Sequence, residues 1–236
     1  MSSNINIVLV NTSHPGNIGS TARAMKTMGL KNLILVEPKN FPSDIANAQA
    51  VGCIDILENV TISPTLSDAV CFSELVVGFS ARSRKSNISS LSIDELMDLL
   101  NKYKNNNVSI VFGNEQSGLS NDELQLCNHL VSIPTDNAYT SLNLASSVQI
   151  FSYEYFKSCS LESPSKKSLD LANHSSKLVL IEKFLSIMSH LNIITDKNKK
   201  SLIQNIHIIF NKTDFTDNEV NLYLGILSKI LKALKK

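Results

Sequence analysis

With 236 residues, 43% of them hydrophobic and 18% charged, the chain can hold one large domain, or an ordinary domain with a small appendage, and is neither disordered nor fibrous in composition. No apolar run approaches the ~18 residues of a membrane span, and the start Met1-Ser2-Ser3-Asn4 lacks a signal peptide's basic flank, so a cytoplasmic protein is expected. The net charge of +1 hides an asymmetry: residues 1–164 hold 10 basic and 15 acidic residues, whereas residues 165–236 hold 12 lysines and six acids.

In chain order, residues 5–10 form a β-branched run that reads as a buried first strand. The turn His14-Pro15-Gly16 then opens a helix that Gly29 stops. Residues 33–36 are the second strand. Residues 46–51 read as a helix, 54–62 as one or two weak strands, and 66–70 as a short helix. Residues 75–79 are another buried strand, running into Ser80-Ala81-Arg82-Ser83-Arg84-Lys85. Ser92-x-x-Glu95 and Ser120-x-x-Glu123 are capping boxes at two helix starts. Between and after them lie the apolar runs 108–112 and 130–133, each followed by a polar loop and a helix start. This alternation predicts an α/β domain with a mostly parallel sheet, covered on both faces.

The Ser-rich stretch 158–168 reads as a linker, which separates an α/β domain over 1–157 from a small basic helical domain over 169–236. The tail carries three apolar stripes at helical spacing: Leu178/Ile181/Leu185/Met188/Leu191, Leu202/Ile203/Ile206/Ile209/Phe210, and Val220/Tyr223/Leu227/Ile230/Leu234. Its lysines suit an anionic partner or a solvated helix face about equally.

Several chemistries can be weighed on the residues themselves. Cys53, Cys71, Cys127 and Cys159 are scattered without a C-x-x-C pair, so neither a metal site nor a disulfide framework is expected. Gly16-Asn17-Ile18-Gly19 lacks the middle glycine of a dinucleotide fingerprint, which counts against a nucleotide-dependent oxidoreductase. Ser141 has no recognisable histidine base and no nucleophile elbow. It does precede a helix start and could cap it. In open α/β sheets, ligands sit outside the carboxyl ends of strands, so the loops after 108–112 and 130–133 could build one pocket.

Asn17-x-Gly19-x-x-x-Arg23, Gly113-x-Glu115-x-x-Gly118-Leu119 and Ser141-Leu142-Asn143-Leu144-Ala145 resemble, in this order, the three signature motifs of the SpoU-type RNA ribose 2′-O-methyltransferases. The run over 6–30, with LVVGFSARSR over 75–84, looks like the bacterial subgroup that methylates nucleotide 32 of the tRNA anticodon loop. The resemblance implies a carboxyl half tied into a trefoil knot, with the tail as a small helical extension. It also implies a homodimer acting on tRNA, without metal or membrane. S-adenosylmethionine would be held by Phe79, Ser80, Ala81, Gly113, Ile133, Thr140, Ser141 and Leu142. Arg23 would bind phosphate and orient the ribose hydroxyl, Asn17 and Glu115 would orient Arg23 or a neighbouring loop, Ser141 would lie near the reacting ribose, and Asn143 belongs to the site by its motif. Arg82, Arg84 and Lys85 would grip phosphate, and Phe79 stands where the subgroup commonly has a small polar residue. Methylation of another tRNA or rRNA ribose by the same fold, and a non-catalytic RNA-binding protein, are the remaining alternatives.

Overall fold

The computed structural model describes residues 4–81, 88–160, 170–196 and 198–234. Its seven strands are β1 (Ile5–Val10), β2 (Asn32–Val36), β3 (Thr61–Ser63), β4 (Leu75–Phe79), β5 (Ser89–Leu91), β6 (Val108–Phe112) and β7 (His129–Val131). They form one sheet in the order β3-β2-β1-β6-β4-β7-β5, and every pairing is parallel. Parallel strands need crossovers, and the helices that make them cover both faces.

Alternate residues of each strand serve opposite faces, which is why the central strands β1, β4 and β6 are predominantly apolar. Ile5, Ile7 and Leu9 of β1 and Ile110 and Phe112 of β6 pack under α1 (Pro15–Thr27), α2 (Asp44–Gln49), α3 (Ile54–Glu58), α5 (Ile93–Lys102) and α7 (Leu144–Ser160). Val8, Val10, Val76 and Val111 face the other way, against α4 (Leu66–Ala69) and α6 (Asn121–Gln125). Both expected capping boxes form, at Ser92/Glu95 and Ser120/Glu123. Gly19 sits where α1 and α2 touch: a Cβ there would lie 2.1 Å from the Ala46 carbonyl oxygen.

The tail consists of α8 (His174–His190), α9 (Lys199–Lys212) and α10 (Asp217–Leu234) around a small core of Leu180, Ile187, Val220 and Leu227. It is pinned to the amino-terminal edge of the sheet. Ile208 of α9 packs in the second-face core, and Leu171 packs in the first. The His174 and Ser175 amides donate to the Ser73 and Cys71 carbonyls, and the Tyr103 hydroxyl donates to Asp214 at 2.6 Å. Asn128 and Asn211 bridge β4, α6 and α9 through their side-chain amides.

Four sequence expectations change. Residues 54–58 are helical because Ile56 and Leu57 turn together into the core, with Asp55 in the first turn. The edge strand β5 was not foreseen, being only three residues of Ser-Ser-Leu. Residues 158–160 of the expected linker continue α7, and residues 161–168 lie outside the described residues. In the tail the expected stripes hold only in part: Ile181, Ile206, Val220 and Leu227 are buried, but Leu191, Ile209, Tyr223, Ile230 and Leu234 are exposed, while Leu180, Ile187 and Ile208 are buried beside them.

Candidate active site

β1 and β6 are neighbours in register, Leu9 opposite Phe112, so the loops that leave their carboxyl ends run side by side. The β6 loop folds back on itself. Its Gly113 is obligatory on steric grounds, since a Cβ there would lie 2.3 Å from backbone atoms of Gly118 and Leu119. Asn114 ties the two loops together: its side-chain amide donates to the Asn11 carbonyl at 2.7 Å, and its oxygen accepts from the Gln116 amide at 2.9 Å.

Glu115 is thereby aimed at the start of α1. Its carboxylate accepts from the Ser13 amide at 3.0 Å, the Ser13 hydroxyl at 2.9 Å, the His14 amide at 3.2 Å and the Asn17 side-chain amide at 3.0 Å. Burial by itself would raise its pKa, but the hydrogen bonds from Ser13, Asn17 and His14 outweigh it and hold the carboxyl down at about 2. A dinucleotide's pyrophosphate would need this helix start. Here a side-chain anion already occupies it, which agrees with the missing fingerprint glycine.

Asn17 passes the link onward. Its amide group faces Glu115, which leaves its oxygen to accept from the Asn143 side-chain amide at 3.0 Å. The Asn143 oxygen in turn accepts from the Ala145 and Ser146 amides and so caps α7. The cap is therefore Asn143 rather than Ser141, because only Asn143 stands immediately before the first helical residue. One hydrogen-bonded line thus joins all three motifs through Glu115, Asn17 and Asn143.

Beside it, at the carboxyl ends of β6, β4 and β7, lies a cavity of about 330 Å³. That is the lower end of the range for small-molecule sites, ~300–1,000 Å³. All eight residues expected to hold a cofactor line it: Phe79, Ser80, Ala81, Gly113, Ile133, Thr140, Ser141 and Leu142. Phe79 stacks on Phe112 with ring centroids 4.7 Å apart and meets Phe151 edge-on, so one wall is aromatic. Glu115 reaches the lining, but Arg23, Asn17 and Asn143 do not. Arg23 is exposed on α1 and has no polar partner among the described residues. Arg82, Arg84 and Lys85 lie outside the described residues.

Ser13, Asn114, Phe112 and Ser147 also build the site and were not singled out from the sequence. Ser13 and Asn114 were detectable in principle, as polar residues immediately flanking a His-Pro helix start and a glycine-bounded loop. Among the described residues no cluster of His, Cys, Asp or Glu could hold a metal ion, and no helix is long and apolar enough to cross a membrane.

Known proteins resemble this chain in sequence and fold. The model of the family described as SpoU rRNA Methylase matches residues 4–153. The tRNA (cytidine/uridine-2'-O-)-methyltransferase TrmJ of Yersinia enterocolitica is 38% identical over 237 residues, covering 97% of this chain and 92% of that protein. The crystal structure of TrmJ from Z. mobilis ZM4 superposes with a TM-score of 0.86 at 24% identity, over 95% of this chain and 98% of that one. The SpoU methyltransferase AviRb from Streptomyces viridochromogenes, crystallised with AdoMet, shares the core fold at a TM-score of 0.55 and 21% identity, over 69% of this chain and 63% of that one. A family match across more than half of the sequence, a relative similar from end to end, and three motifs joined in space lead to one conclusion: the chain belongs to the SpoU rRNA methylase family.

Proposed function

We propose that this protein methylates a ribose 2′-hydroxyl of tRNA with S-adenosylmethionine, at a cytidine or uridine in position 32 of the anticodon loop. It acts as a cytoplasmic homodimer. The observation that carries this reading is the cavity at the ends of β6, β4 and β7, held in register with α1 and α7 by the Glu115–Asn17–Asn143 line. The relative from Yersinia enterocolitica, named for the same chemistry, supports the substrate class. The meeting of three loops from adjacent strands around one cavity supports the trefoil knot.

The residues present fit the cofactor. Phe79, Phe112, Ile133, Leu142 and Leu144 give the cavity apolar walls suited to an adenine ring, while Ser80, Thr140 and Ser141 offer polar groups. When bound, the cofactor would supply a methyl group on a sulfonium, an electrophile that reacts once the ribose hydroxyl is aligned with it and gives up its proton to solvent. Alignment is therefore what the protein contributes. Glu115 is unsuited to be the base, since four donors already occupy its two oxygens. It holds the α1 start against the cavity loop. Arg23 binds substrate phosphate and stabilises the negative charge that develops on the hydroxyl oxygen. Because Arg23 does not line the cavity of its own chain, we assign it to the cavity of the second subunit. Ser141, exposed at the cavity, contacts the ribose. Arg82, Arg84 and Lys85, next in sequence to the cavity residue Ala81, hold phosphate. The tail, with its own small core, forms a separate basic domain that adds to the grip on tRNA.

The test is incubation of tRNA transcripts with labelled S-adenosylmethionine, followed by nuclease digestion and mass spectrometry. Methylated ribose at position 32 is the expected product. Folded protein that binds the cofactor yet methylates no ribose would mean an RNA-binding protein without turnover.

A further inference from the structure

Strands β1 and β2 lie side by side, Val10 opposite Val36, and each is followed by a residue with left-handed backbone, Asn11 (φ 52°) and Glu37 (φ 45°). Such backbone is costly outside glycine, and it gathers where a loop must keep a fixed shape for a ligand. The two loops that follow are joined, since the Lys39 amide donates to the Thr12 carbonyl at 3.1 Å. Two residues after Thr12 comes His14, whose amide donates to Glu115 of the cavity lining and whose Nδ1 accepts from the Gly16 amide at 3.2 Å. An imidazole nitrogen that accepts carries no proton, so the ring's proton sits on Nε2. Neither nitrogen is then free to take a proton from the ribose. What remains is an Nε2–H donor on an exposed ring, with no hydrogen-bond partner among the described residues. Lys39 is exposed as well, and neither Glu37 nor Asp44, the acids nearest it in sequence, forms an ion pair with it among the described residues.

We propose that His14 and Lys39 form an additional contact to the RNA backbone, on the β1–β2 side of the cavity, His14 donating from Nε2 to a phosphate oxygen and Lys39 pairing with phosphate through its ammonium. The inference rests on RNA as the substrate. A ribose presented at the cavity carries a phosphate on either side, and contacts to those phosphates set the register of the strand without reading its sequence. Glu115 is no obstacle to an anion here, because its carboxylate is already held by four donors from Ser13, His14 and Asn17. A fixed neutral donor and an unpaired cation on two tied loops suit the oxygens of a phosphate, which accept from both.

The experiment is binding of a tRNA transcript to the full chain, measured by filter retention over a series of KCl concentrations. His14→Ser keeps an oxygen to cap α1 and loses the ring. It is expected to bind tRNA about tenfold more weakly, the worth of one hydrogen bond to a charged oxygen, with an unchanged salt dependence because the lost donor is neutral. Lys39→Gln is expected to weaken binding and to lower the slope of log K against log salt by about 0.7, one counterion on a single-stranded loop. Lys39→Arg restores both. S-adenosylmethionine affinity and melting temperature stay at the parent's values in all three variants, which separates a lost contact from a disturbed loop. Variants that bind tRNA as tightly as the parent overturn the proposal, and so does a Lys39→Gln slope equal to the parent's or a matching loss of cofactor affinity. A parent that binds tRNA without methylating it leaves this contact standing and removes only the turnover, whereas a parent that binds no tRNA removes both.

Discussion

Replacing Asn143 by aspartate separates two roles that one side chain fills. Its oxygen caps α7 by accepting from the Ala145 and Ser146 amides, and its amide group donates to Asn17. An aspartate at this position keeps the acceptor and adds a negative charge at a helix start, which is favourable, but it has nothing to donate. Asn143→Asp is expected to melt no lower than the parent while turnover falls by roughly a hundredfold, the scale of a small misplacement in an aligned site. Asn143→Ala loses the cap as well, at about 1 kcal/mol. Full activity in the aspartate variant would show that the Asn17 bond positions nothing. Arg23 calls for a different test, because its side chain is exposed and outside the cavity of its own chain. Arg23→Ala is expected to abolish methylation and leave S-adenosylmethionine affinity nearly unchanged, as titration calorimetry would measure. Mixed with a chain whose cavity is blocked by Ser147→Trp, it should regain activity, since one heterodimer site then holds both an intact cavity and an intact arginine.

Between elements, the closest approach is that of α1 to α2 at Gly19. A methyl group there has to displace the Ala46 backbone, so Gly19→Ala pushes α1 outward and carries Asn17 with it. The expected cost is about 1–3 kcal/mol in urea unfolding, accompanied by lost activity. The sequence motif containing Gly19 thus combines packing with polar function, and that mixture explains what was readable beforehand. Strands β1, β2, β4 and β6 were legible because burial on both faces makes them uninterrupted apolar runs. The capping boxes at Ser92 and Ser120 were legible because their chemistry is local. Residues 54–58 misled, since a five-residue β-branched segment carries too little periodicity to separate strand from helix. Eight residues of the cavity lining were named through the motif resemblance, whereas the Glu115–Asn17–Asn143 line was not. Hydrogen bonds across about 100 residues of sequence depend on which strands are neighbours, and β1 beside β6 is not written in any local pattern. The tail stripes caught Ile181, Ile206, Val220 and Leu227 but missed Leu180, Ile187 and Ile208 for a related reason: α8 and α9 answer to the sheet as well as to each other, so their buried faces are wider than one stripe.

The whole molecule is joined at a seam rich in titratable groups. His174 and Lys177 of α8 are buried there, with His207 of α9 and His129 of β7 half-buried, and among the described residues each has a side-chain nitrogen with no hydrogen-bond partner. Asp214 and Glu74 supply the negative charge facing Lys177. Burial first, then the neighbouring Lys177 and His207, draw the His174 pKa down to about 4 from an ordinary 6.5. Burial likewise lowers His129 and His207. The sign follows from linkage. In the unfolded chain His174 takes up its proton near pH 6.5, and in the folded chain only near pH 4. Its contribution is therefore complete above about pH 6.5 and declines as the pH falls to about 4, by about 3 kcal/mol over the interval. Carboxylates such as Glu115, whose folded pKa is also lowered, add to the loss at the acidic end. The decisive measurement is the slope: urea midpoints between pH 7 and pH 4.5 for the parent and for His174→Gln, which cannot take up that proton. The parent should lose stability steeply across this window and the variant much less, whatever the variant's stability at pH 7. Hydrogen exchange at pH 5 should then find α8 and α9 opening ahead of the central strands, because the protons that the folded seam excludes are gained when those two helices leave it.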